Sequence, residues 1–437
     1  MSFKSSKLPG GARIFYQNIG YQWNIIEPGI QGVIFNASGF GYDRALERGK
    51  PPNLPSNVYF DPQLYLLPLP KESCHKSCAN LATYPWLPID IPRPEEFNTP
   101  DDWKNNLNQT IIDNWPPLIN NQDIKKIVMQ TIDFQLEFKA SEIIIPSILT
   151  NSVESDLSRE MTFVDSGLDY VAPKGIPALA TFAISDACLI NNNPSDNPLL
   201  QIAIDQFTAR DELVGVYIVV ENSRGESLRI SNPKVAWSLL EFCHYLNKAG
   251  KEVIVNYCDS FGIVCMAAGA KGFAGGFGNK SKRLYFGDYQ VRGGGGAYPK
   301  FYAHSVISEY LPERDLEKIR DNKLMRLLEA DKTPASESLF EVLNSGGSVA
   351  NLPEWREALG NLSGSRKHYI QKMLEVSNRV NGLTSQQIEN YVLSWLQDAE
   401  RNVVYLNDRF NEDALSDDGR HVKAWRSAFE SYLATLI

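Results

Sequence analysis

The sequence predicts an α/β fold, a (β/α)8 barrel of the TIM type, followed by a helical C-terminal region. Short β-rich runs alternate with stretches that carry helix signals over the first 310 residues, which is the pattern of parallel βα units. Several runs are almost continuously apolar, as expected for strands buried on both faces. The 437 residues suffice for a barrel of about 250 to 300 residues and an accessory domain. Strand signals vanish beyond residue 310, so we predict domains 1–310 and 311–437.

Eight segments are predicted to be the barrel strands. They are residues 32–37, 57–61, 142–147, 178–185, 214–222, 252–259, 272–277 and 301–308. The clearest unit joins the strand at 214–222 to a helix with Pro233 at its first position, after the cap Asn232 or Ser231. Eight units, with no GxGxxG after the first strand, favour a barrel over the alternative, an open doubly wound sheet.

Three segments are predicted to lie outside a minimal barrel. Residues 12–31 are expected to form an N-terminal hairpin that plugs the barrel floor. Residues 68–120 are a polar, Pro-rich insertion after the second predicted strand. The last helix has an apolar face formed by Val422, Trp425, Phe429, Leu433 and Leu436. That face is expected to dock on the barrel or, alternatively, to bind a protein partner or a second copy of the chain.

Composition argues against nucleic acid and membranes as partners and indicates a cytoplasmic protein. The net charge of −9 argues against a non-specific grip on nucleic acid, which leaves only a local basic patch for such binding. No run of eighteen apolar residues is present and the N-terminus has no secretory signal, so no membrane partner is expected. The six cysteines are scattered, which is typical of reduced thiols, and we predict a cytoplasmic protein.

Carboxylates at the ends of predicted strands are the candidate catalytic groups. The functional residues of a parallel barrel lie where its strands end, because loops there vary without disturbing the core. This rule selects Asp61, Glu221 and Asp259 as catalytic residues, and Asp186 as a further acid at the same rim. Acids that converge at one mouth can differ in pKa, so that one serves as a base or nucleophile and another as a donor. Alternatively, each acid caps a helix or pairs with an arginine.

The candidate ligand-binding residues come from two further patterns. Polar residues at strand ends contribute Asn222 and Asn256, and the same rule places His304, Ser308 and Glu309 of the predicted eighth strand at the rim. The glycine-rich segment after the predicted seventh strand is followed by cations, which is typical of a phosphate site in such barrels. From this segment we select Gly275, Gly276, Gly278, Asn279, Lys280 and Arg283. The alternative is a solvated surface loop.

Two other motifs are weaker. The glycine run in 292–299 fits a lid that closes over a ligand, or alternatively a mobile loop. Cys74, His75 and Cys78 have the spacing of a partial metal site, but no second Cys pair completes the four ligands that zinc needs. No P-loop, GxSxG, HExxH or EF-hand pattern is present, and we predict neither a metal nor a cofactor.

The rim aspartates resemble, in general arrangement, those of the barrel transglycosylases that exchange bases in transfer RNA. The zinc cluster and the DSGGFQ-like run of that family are missing, so the resemblance implies only a kind of chemistry. The leading hypothesis is an enzyme that acts on a phosphorylated or nucleotide-like ligand by metal-free carboxylate chemistry, such as base exchange or glycosidic cleavage. The alternative is a non-enzymatic scaffold or interaction subunit. Carboxylates around one open pocket would favour the enzyme, and a pocket filled by Phe and Tyr the scaffold.

Overall fold

The computed structural model describes residues 13–20, 26–47, 54–87, 89, 96–117, 119–151, 155–225, 227–291 and 297–436. Across these ranges no helix combines the length and the apolar character that a membrane crossing requires.

Nine parallel strands form a nearly closed barrel with eight positions, and the positions follow the order of the chain. The strands are β1 (Ile14–Ile19), β2 (Gly32–Asn36), β3 (Asn57–Asp61), β4 (Ile143–Ile145), the short β5 (Leu149–Thr150), β6 (Ala178–Ser185), β7 (Gly215–Glu221), β8 (Glu252–Asn256) and β9 (Gly272–Gly275). The pairing order is β3-β2-β1-β9-β8-β7-β6-β4, and the short β4 and β5 share one position because both pair with β6. The predicted TIM-like barrel is therefore confirmed, together with its helical C-terminal region.

A serine side chain bridges the gap between the two edge strands, β3 and β4. The N–H of Ser141 donates to the carbonyl of Val58 at 2.7 Å, and the Ser141 hydroxyl accepts from the N–H of Val58 at 2.9 Å. The same hydroxyl donates to the carbonyl of Ser56 at 2.9 Å. Because β4 is only three residues long, this side chain satisfies backbone groups that a longer strand would have paired.

Two tyrosine rings pack against each other inside the barrel, and glycines on the neighbouring strands leave space for the Tyr16 ring. The rings of Tyr16 and Tyr59 lie 5.3 Å apart, edge to face. A Cβ atom at Gly32 would lie 2.3 Å from the Tyr16 ring, and one at Gly272 would lie 2.6 Å from it. Both neighbours of β1 therefore carry glycine where the Tyr16 side chain crosses them, since any larger residue would displace this ring.

Helices surround the barrel and continue beyond it. The helices up to the last barrel strand are α1 (Tyr42–Glu47), α2 (Lys71–Ala82), α3 (Pro100–Asn114), α4 (Asn121–Glu137), α5 (Ser155–Val171), α6 (Pro198–Thr208), α7 (Pro233–Lys248) and α8 (Phe261–Ala267). After β9 come α9 (Asn279–Lys282), α10 (Glu317–Asp321), α11 (Glu337–Asn344), α12 (Ser363–Asn381), α13 (Ser385–Arg409) and α14 (Arg420–Thr435). As predicted, Asn232 caps α7 by accepting from the N–H of Lys234.

The C-terminal helices cover parts of the barrel that the early βα units leave uncovered. Helix α12 packs against β1, and the hydroxyl of Ser377 donates to the carbonyl of Arg13. Helix α14 packs against α7, where its apolar face buries Val422, Trp425 and Phe429. The face of the last helix thus docks on the barrel. The boundary at residue 310 and any partner of these helices remain predictions.

Two of the predicted elements are wrong. Residues 14–19 do not belong to a hairpin that plugs the floor, because β1 pairs in parallel with both β2 and β9 and is the first barrel strand. Residues 301–308 do not form the eighth strand, because β10 (Phe301–Ala303) pairs antiparallel with β11 (Ser308–Tyr310) in a separate sheet. Both segments do contain β structure, as predicted, but each pairs with other strands than the prediction assigned to it.

Because β1 is an additional strand at the start of the barrel, the later segments lie one strand position further along than predicted. The insertion at 68–120 follows the third barrel strand, and it contains α2 and α3. The glycine-rich segment at 272–277 contains the eighth strand, β9. Its loop still lies near the position where such barrels bind phosphate, because the loops after the seventh and eighth strands are neighbours.

We expect Trp425→Ala to lower the free energy of unfolding by about 3 to 5 kcal/mol, because the substitution opens a cavity between α14 and the barrel. Trp425 is fully buried, its ring lies 5.0 Å from that of Phe261, and its indole N–H donates to the carbonyl of Ile230 at 2.6 Å. Chemical denaturation measures the change. Tyr405→Ala on α13, where the side chain is exposed, is the control, and equal small losses for both variants would contradict the docking.

Candidate functional site

The carboxylate of Asp61, at the end of β3, is the centre of a buried hydrogen-bond network. Its oxygens accept from the hydroxyl of Tyr65 at 2.6 Å, from that of Tyr217 at 2.8 Å and from the N–H of Gln63 at 3.0 Å. Asp61 has no exposed surface, and none of the described cations forms an ion pair with it. Neutral donors alone therefore solvate this carboxylate.

The network continues from Asp61 across the barrel to β1. The amide nitrogen of Asn256, on β8, donates to the hydroxyl of Tyr217, which itself donates to Asp61. The Asn256 carbonyl oxygen accepts from the amide nitrogen of Asn18, on β1, at 2.6 Å and from the N–H of Tyr257 at 2.7 Å. Side chains from β3, β7, β8 and β1 are therefore joined in one chain of hydrogen bonds.

Burial raises the pKa of Asp61 to about 6, although the hydrogen bonds from Tyr65 and Tyr217 lower it in part. The desolvation of the charged form outweighs the donors, because a hydroxyl replaces only part of the water that a carboxylate loses. Asp61 therefore titrates close to neutral pH, in the range where a carboxyl group can exchange protons usefully.

Buried tyrosines occupy the space around Asp61. Tyr65, Tyr217, Tyr257 and Tyr289 are each at most 3% exposed. The side-chain amide of Gln63 donates to the hydroxyl of Tyr257 at 2.7 Å, which fixes the middle of this group. The pocket at the centre of the mouth is thus filled by aromatic rings, and Asp61 lines neither of the two cavities described below.

A cavity of about 710 Å³ opens beside the network, and we call it the mouth cavity. The ends of β1 and β2, helices α2 and α12, and the loop after β9 line it. A volume of this size fits a small-molecule ligand, for which about 300 to 1,000 Å³ is typical. Among its lining residues are Asn18, Asn36, Lys76, Phe277, Lys280, Tyr289 and Arg366.

The mouth cavity carries uncompensated positive charge. Asp288 is the acid among the described lining residues, and Arg283 holds it through two bonds of 2.8 and 3.2 Å. Neither Lys76 nor Lys280 forms an ion pair within the described structure, although Lys280 lies 4.8 Å from the centroid of the Tyr289 ring. Both lysines are exposed at the cavity without a carboxylate within ion-pair distance, and the charge of Asp288 acts on Lys280 from farther away.

Two asparagines that line this cavity have unpartnered carbonyl oxygens. Asn18 and Asn36 are 6% and 5% exposed, and neither side-chain oxygen accepts a hydrogen bond in the described structure. A buried acceptor without a donor costs about 1 to 3 kcal/mol. Both residues therefore contribute an unfavourable free energy to the unliganded fold.

A second cavity, of about 120 Å³, lies on the β6 and β7 side of the mouth, and we call it the side cavity. Glu221, Asn222, Asp186 and Arg283 are among its lining residues. Burial raises the pKa of Glu221, a hydrogen bond with Ser185 opposes this, and the charge of Asp186 raises the pKa further. Because Arg283 lines the side cavity and Asp288 the mouth cavity, their ion pair lies between the two.

Asp259 belongs to a group of charges that we call the buried ion cluster, formed by Arg229, Asp259, Lys282, Lys300, Glu309 and Asp417. The Arg229 guanidinium lies 2.8 Å from Asp259 and 2.8 Å from Asp417. Burial would raise the pKa of Asp259, but the charges of Arg229 and Lys282 outweigh it and hold the pKa below its ordinary range. The hydroxyl of Tyr369, on α12, also donates to Asp259. These contacts give Asp259 a structural role.

The glycine-rich segment lies between the buried ion cluster and the mouth cavity. A Cβ atom at Gly275 would lie 3.4 Å from the Tyr369 hydroxyl, and one at Gly276 would lie 2.7 Å from the Cβ of Ser281. These two glycines therefore allow close packing of the loop. Gly276, Gly278, Asn279 and Lys280 line the mouth cavity.

The predicted site residues thus meet at the carboxyl end of the barrel but not in one pocket. Asp61 and Asn256 lie in the buried network, and the side cavity is lined by Glu221, Asn222 and Arg283. Asp259 belongs to the buried ion cluster, and Gly275 lies beside it. Three lining residues of the mouth cavity were not predicted from the sequence: Asn18, Asn36 and Lys76. Asn18 and Asn36 obey the strand-end rule that selected Asn256, but the expected hairpin hid the end of β1.

The remaining sequence candidates lie elsewhere. His304 follows β10, stacks on Trp395 with ring centroids 4.5 Å apart, and has a pKa lowered to about 3 by burial. Ser308 is buried on β11, and Glu309 belongs to the buried ion cluster. Cys74 and Cys78 are buried on α2, and among the residues with a described placement no three His, Cys, Asp or Glu form a metal-binding group. Residues 292–296 of the expected lid lie outside the described residues.

We expect Asp61 to stabilise the folded protein at low pH, and we expect this contribution to the free energy of unfolding to decrease as the pH rises. The folded pKa is raised to about 6, so the folded state binds the Asp61 proton more tightly and is favoured at low pH. The loss should amount to on the order of 3 kcal/mol between about pH 4 and about pH 7. Asp61→Asn should remove this contribution, as measured by denaturation at several pH values. Asp211→Asn, at an exposed position, should follow the wild type, and the same pH dependence in Asp61→Asn would contradict the assignment.

Asp259→Asn should lower the free energy of unfolding by about 3 to 5 kcal/mol at neutral pH, because Arg229 then keeps a buried charge with fewer partners. The pKa of Asp259 is lowered, so its stabilisation is present above its ordinary pKa and is lost on acidification, and the difference between variant and wild type should shrink at low pH. Denaturation measures both effects. The control is Asp413→Asn, which removes the surface pair with Lys318 and should cost less than about 1 kcal/mol. Equal losses would contradict a special role for the cluster.

No protein-family model, no curated protein and no solved structure matches this chain. The barrel fold by itself indicates no activity, since the same architecture carries many unrelated reactions.

Proposed function

We propose that this barrel binds a phosphorylated, nucleotide-like small molecule in the mouth cavity. The observation that carries the proposal is the pair of lysines, Lys76 and Lys280, which face the cavity without a carboxylate partner. Phosphate groups are the anions that lysine binds readily in proteins. The loop from Gly276 to Lys280 also supports it, because it belongs to the region in which barrels of this type bind phosphate.

The non-ionic lining favours a ligand that carries a ring and several polar groups. Phe277, which is only partly buried, offers an aromatic surface on which a planar ring can stack. Asn18, Asn36 and Asn279 offer amide groups for hydrogen bonds. A simple sugar phosphate would use the lysines and the amides but not the aromatic surface, so a nucleotide-like compound uses more of the lining.

Carboxylate chemistry is the reaction type that we propose for the enzyme. Glu221 is the candidate that can reach a ligand, because it lines the side cavity and its raised pKa suits a proton donor. Asp61 would act on the ligand through the tyrosines and asparagines bonded to it. Base exchange or glycosidic cleavage is one version, because paired carboxylates stabilise a cationic sugar.

The alternative function is a scaffold or interaction subunit without catalysis. The observation that favours it is the filling of the space around Asp61 by four tyrosines, which separates this carboxylate from both the mouth cavity and the side cavity. The long insertion and the C-terminal helices would then supply contact surfaces. Mass spectrometry of small molecules that co-purify with the protein distinguishes the enzyme from the scaffold. A scaffold is expected to carry no compound in a stoichiometric amount.

The double variant Lys76→Ala with Lys280→Ala should weaken binding of a nucleoside 5′-monophosphate by about tenfold or more, because two charges for the phosphate are lost. Binding of the matching nucleoside without phosphate should change little. Isothermal titration calorimetry measures both affinities, and Lys125→Ala, at an exposed position on α4 outside the cavity, is the control. Equal losses for the nucleotide and the nucleoside, or no loss for either, would contradict the phosphate site.

A further inference from the structure

Helix α12, which belongs to the C-terminal region, contributes one face to the wall of the mouth cavity. Leu362, at the N-cap of the helix, lines the cavity together with Arg366 and Ile370. Successive members of this set are four positions apart, so they lie on the same side of the helix. Arg366 is only partly buried, and it adds a basic side chain to the lining beside Lys76 and Lys280.

The position of Arg366 is held by contacts of its neighbours on α12. The hydroxyl of Ser365 accepts from the N–H of Lys300 at 2.8 Å. The hydroxyl of Tyr369 donates to Asp259 in the buried ion cluster. The first turns of α12 are therefore fixed against the mouth of the barrel, so binding of a ligand through Arg366 does not require the helix to move.

The positive charges of the mouth cavity form two separate centres. Burial lowers the pKa of Lys280, and the charge of Lys76 lowers it further, so the two ammonium groups are close enough to repel each other. Burial also lowers the pKa of Arg366, but the described charge that acts on it is that of Glu27, which opposes the shift, and not that of either lysine. The lysines therefore form one centre, and Arg366 forms another one farther away in the same cavity.

A single phosphate group matches only the first of these centres. A phosphate monoester carries a charge of about −1.5 to −2 near pH 7, which two lysines balance. The guanidinium of Arg366 stays charged at this pH, and its planar fork can bind a carboxylate or a phosphate through two parallel hydrogen bonds. Because the side chain is partly buried, its charge gains more from an anion than that of a fully solvated arginine.

We propose that Arg366 binds a second anionic group of the ligand, a phosphate or a carboxylate, while Lys76 and Lys280 bind the first phosphate. The ligand is then a nucleotide-like compound with two anionic groups at separate positions, and the C-terminal region completes its binding site. This inference rests on the proposed function, because it concerns the same cavity.

Three probes with the same ring distinguish the kinds of second group: uridine 5′-monophosphate, uridine 3′,5′-bisphosphate and 5-carboxyuridine 5′-monophosphate. Their affinities for the wild type are measured by isothermal titration calorimetry. The bisphosphate should bind about tenfold or more tightly than the monophosphate if the second group is a phosphate, and the carboxylated nucleotide should do so if it is a carboxylate. Equal affinities for all three probes would overturn the proposal without any variant.

Arg366→Gln should remove this gain in affinity and leave the binding of uridine 5′-monophosphate nearly unchanged, because only the second group loses its partner. Arg366→Lys should keep part of the gain, since the charge remains but the planar fork is lost. The matched control is Arg379→Gln on the same helix, where the exposed side chain pairs with Glu375 outside the cavity, so all affinities should stay at wild-type values.

A gain that persists in Arg366→Gln would overturn the assignment of the second group to this residue. If Arg366→Gln does not fold, Arg366→Lys replaces it, and a gain equal to that of the wild type would then overturn the assignment.

This proposal and the phosphate site fail in different ways. If the lysine double variant weakens uridine 5′-monophosphate but the second group adds no affinity, the phosphate site stands and the proposal for Arg366 is overturned. If the second group adds affinity that Arg366→Gln removes, while the lysine double variant binds every probe like the wild type, the phosphate site is overturned and Arg366 remains an anion-binding residue. Absence of binding of every probe to the wild type would overturn both.

Discussion

The constraint on which the mouth of the barrel depends is the burial of the Asp61 carboxylate among neutral donors. A carboxylate removed from water must find hydrogen bonds or take up a proton, and here two tyrosines and a backbone amide provide the hydrogen bonds. The direction of each hydrogen bond is then determined, and the same holds for the bonds that continue through Asn256 on β8 to Asn18 on β1. One buried charge thus fixes the orientation of side chains on four strands.

The C-terminal region is part of the same arrangement. Within the described residues, β1 is followed by no helix and β2 only by the six-residue α1, and α12 packs against β1. The buried ion cluster draws Asp417 and Glu309, from segments after the barrel, onto Arg229 in the loop after β7. Three cations and three anions balance there, so the cluster joins the two regions without leaving a net buried charge.

The mouth of the barrel is divided into two cavities of different charge, and this division limits how the proposed enzyme could bind a ligand. The mouth cavity is basic and large, and the side cavity is small and holds Glu221 and Asp186. The ion pair of Arg283 with Asp288 separates them, so a ligand that spans both would have to displace this pair or pass beside it. For the proposed enzyme, the anion would bind on one side of the pair and the carboxylate chemistry would occur on the other.

The barrel could be predicted from local pattern, because parallel strands buried on both faces are nearly continuous in apolar residues. Local pattern also led to Asp61, Glu221, Asn256 and the loop at Gly276–Lys280, all of which lie at the carboxyl end. It misplaced β1 and the β10–β11 pair, because a short apolar run does not reveal which strand it pairs with. The folded chain was needed to show that Arg229 neutralises Asp259, that tyrosines surround Asp61, and that the side-chain oxygens of Asn18 and Asn36 accept no hydrogen bond. These properties depend on contacts between residues far apart in the chain, about which local pattern and composition carry no information.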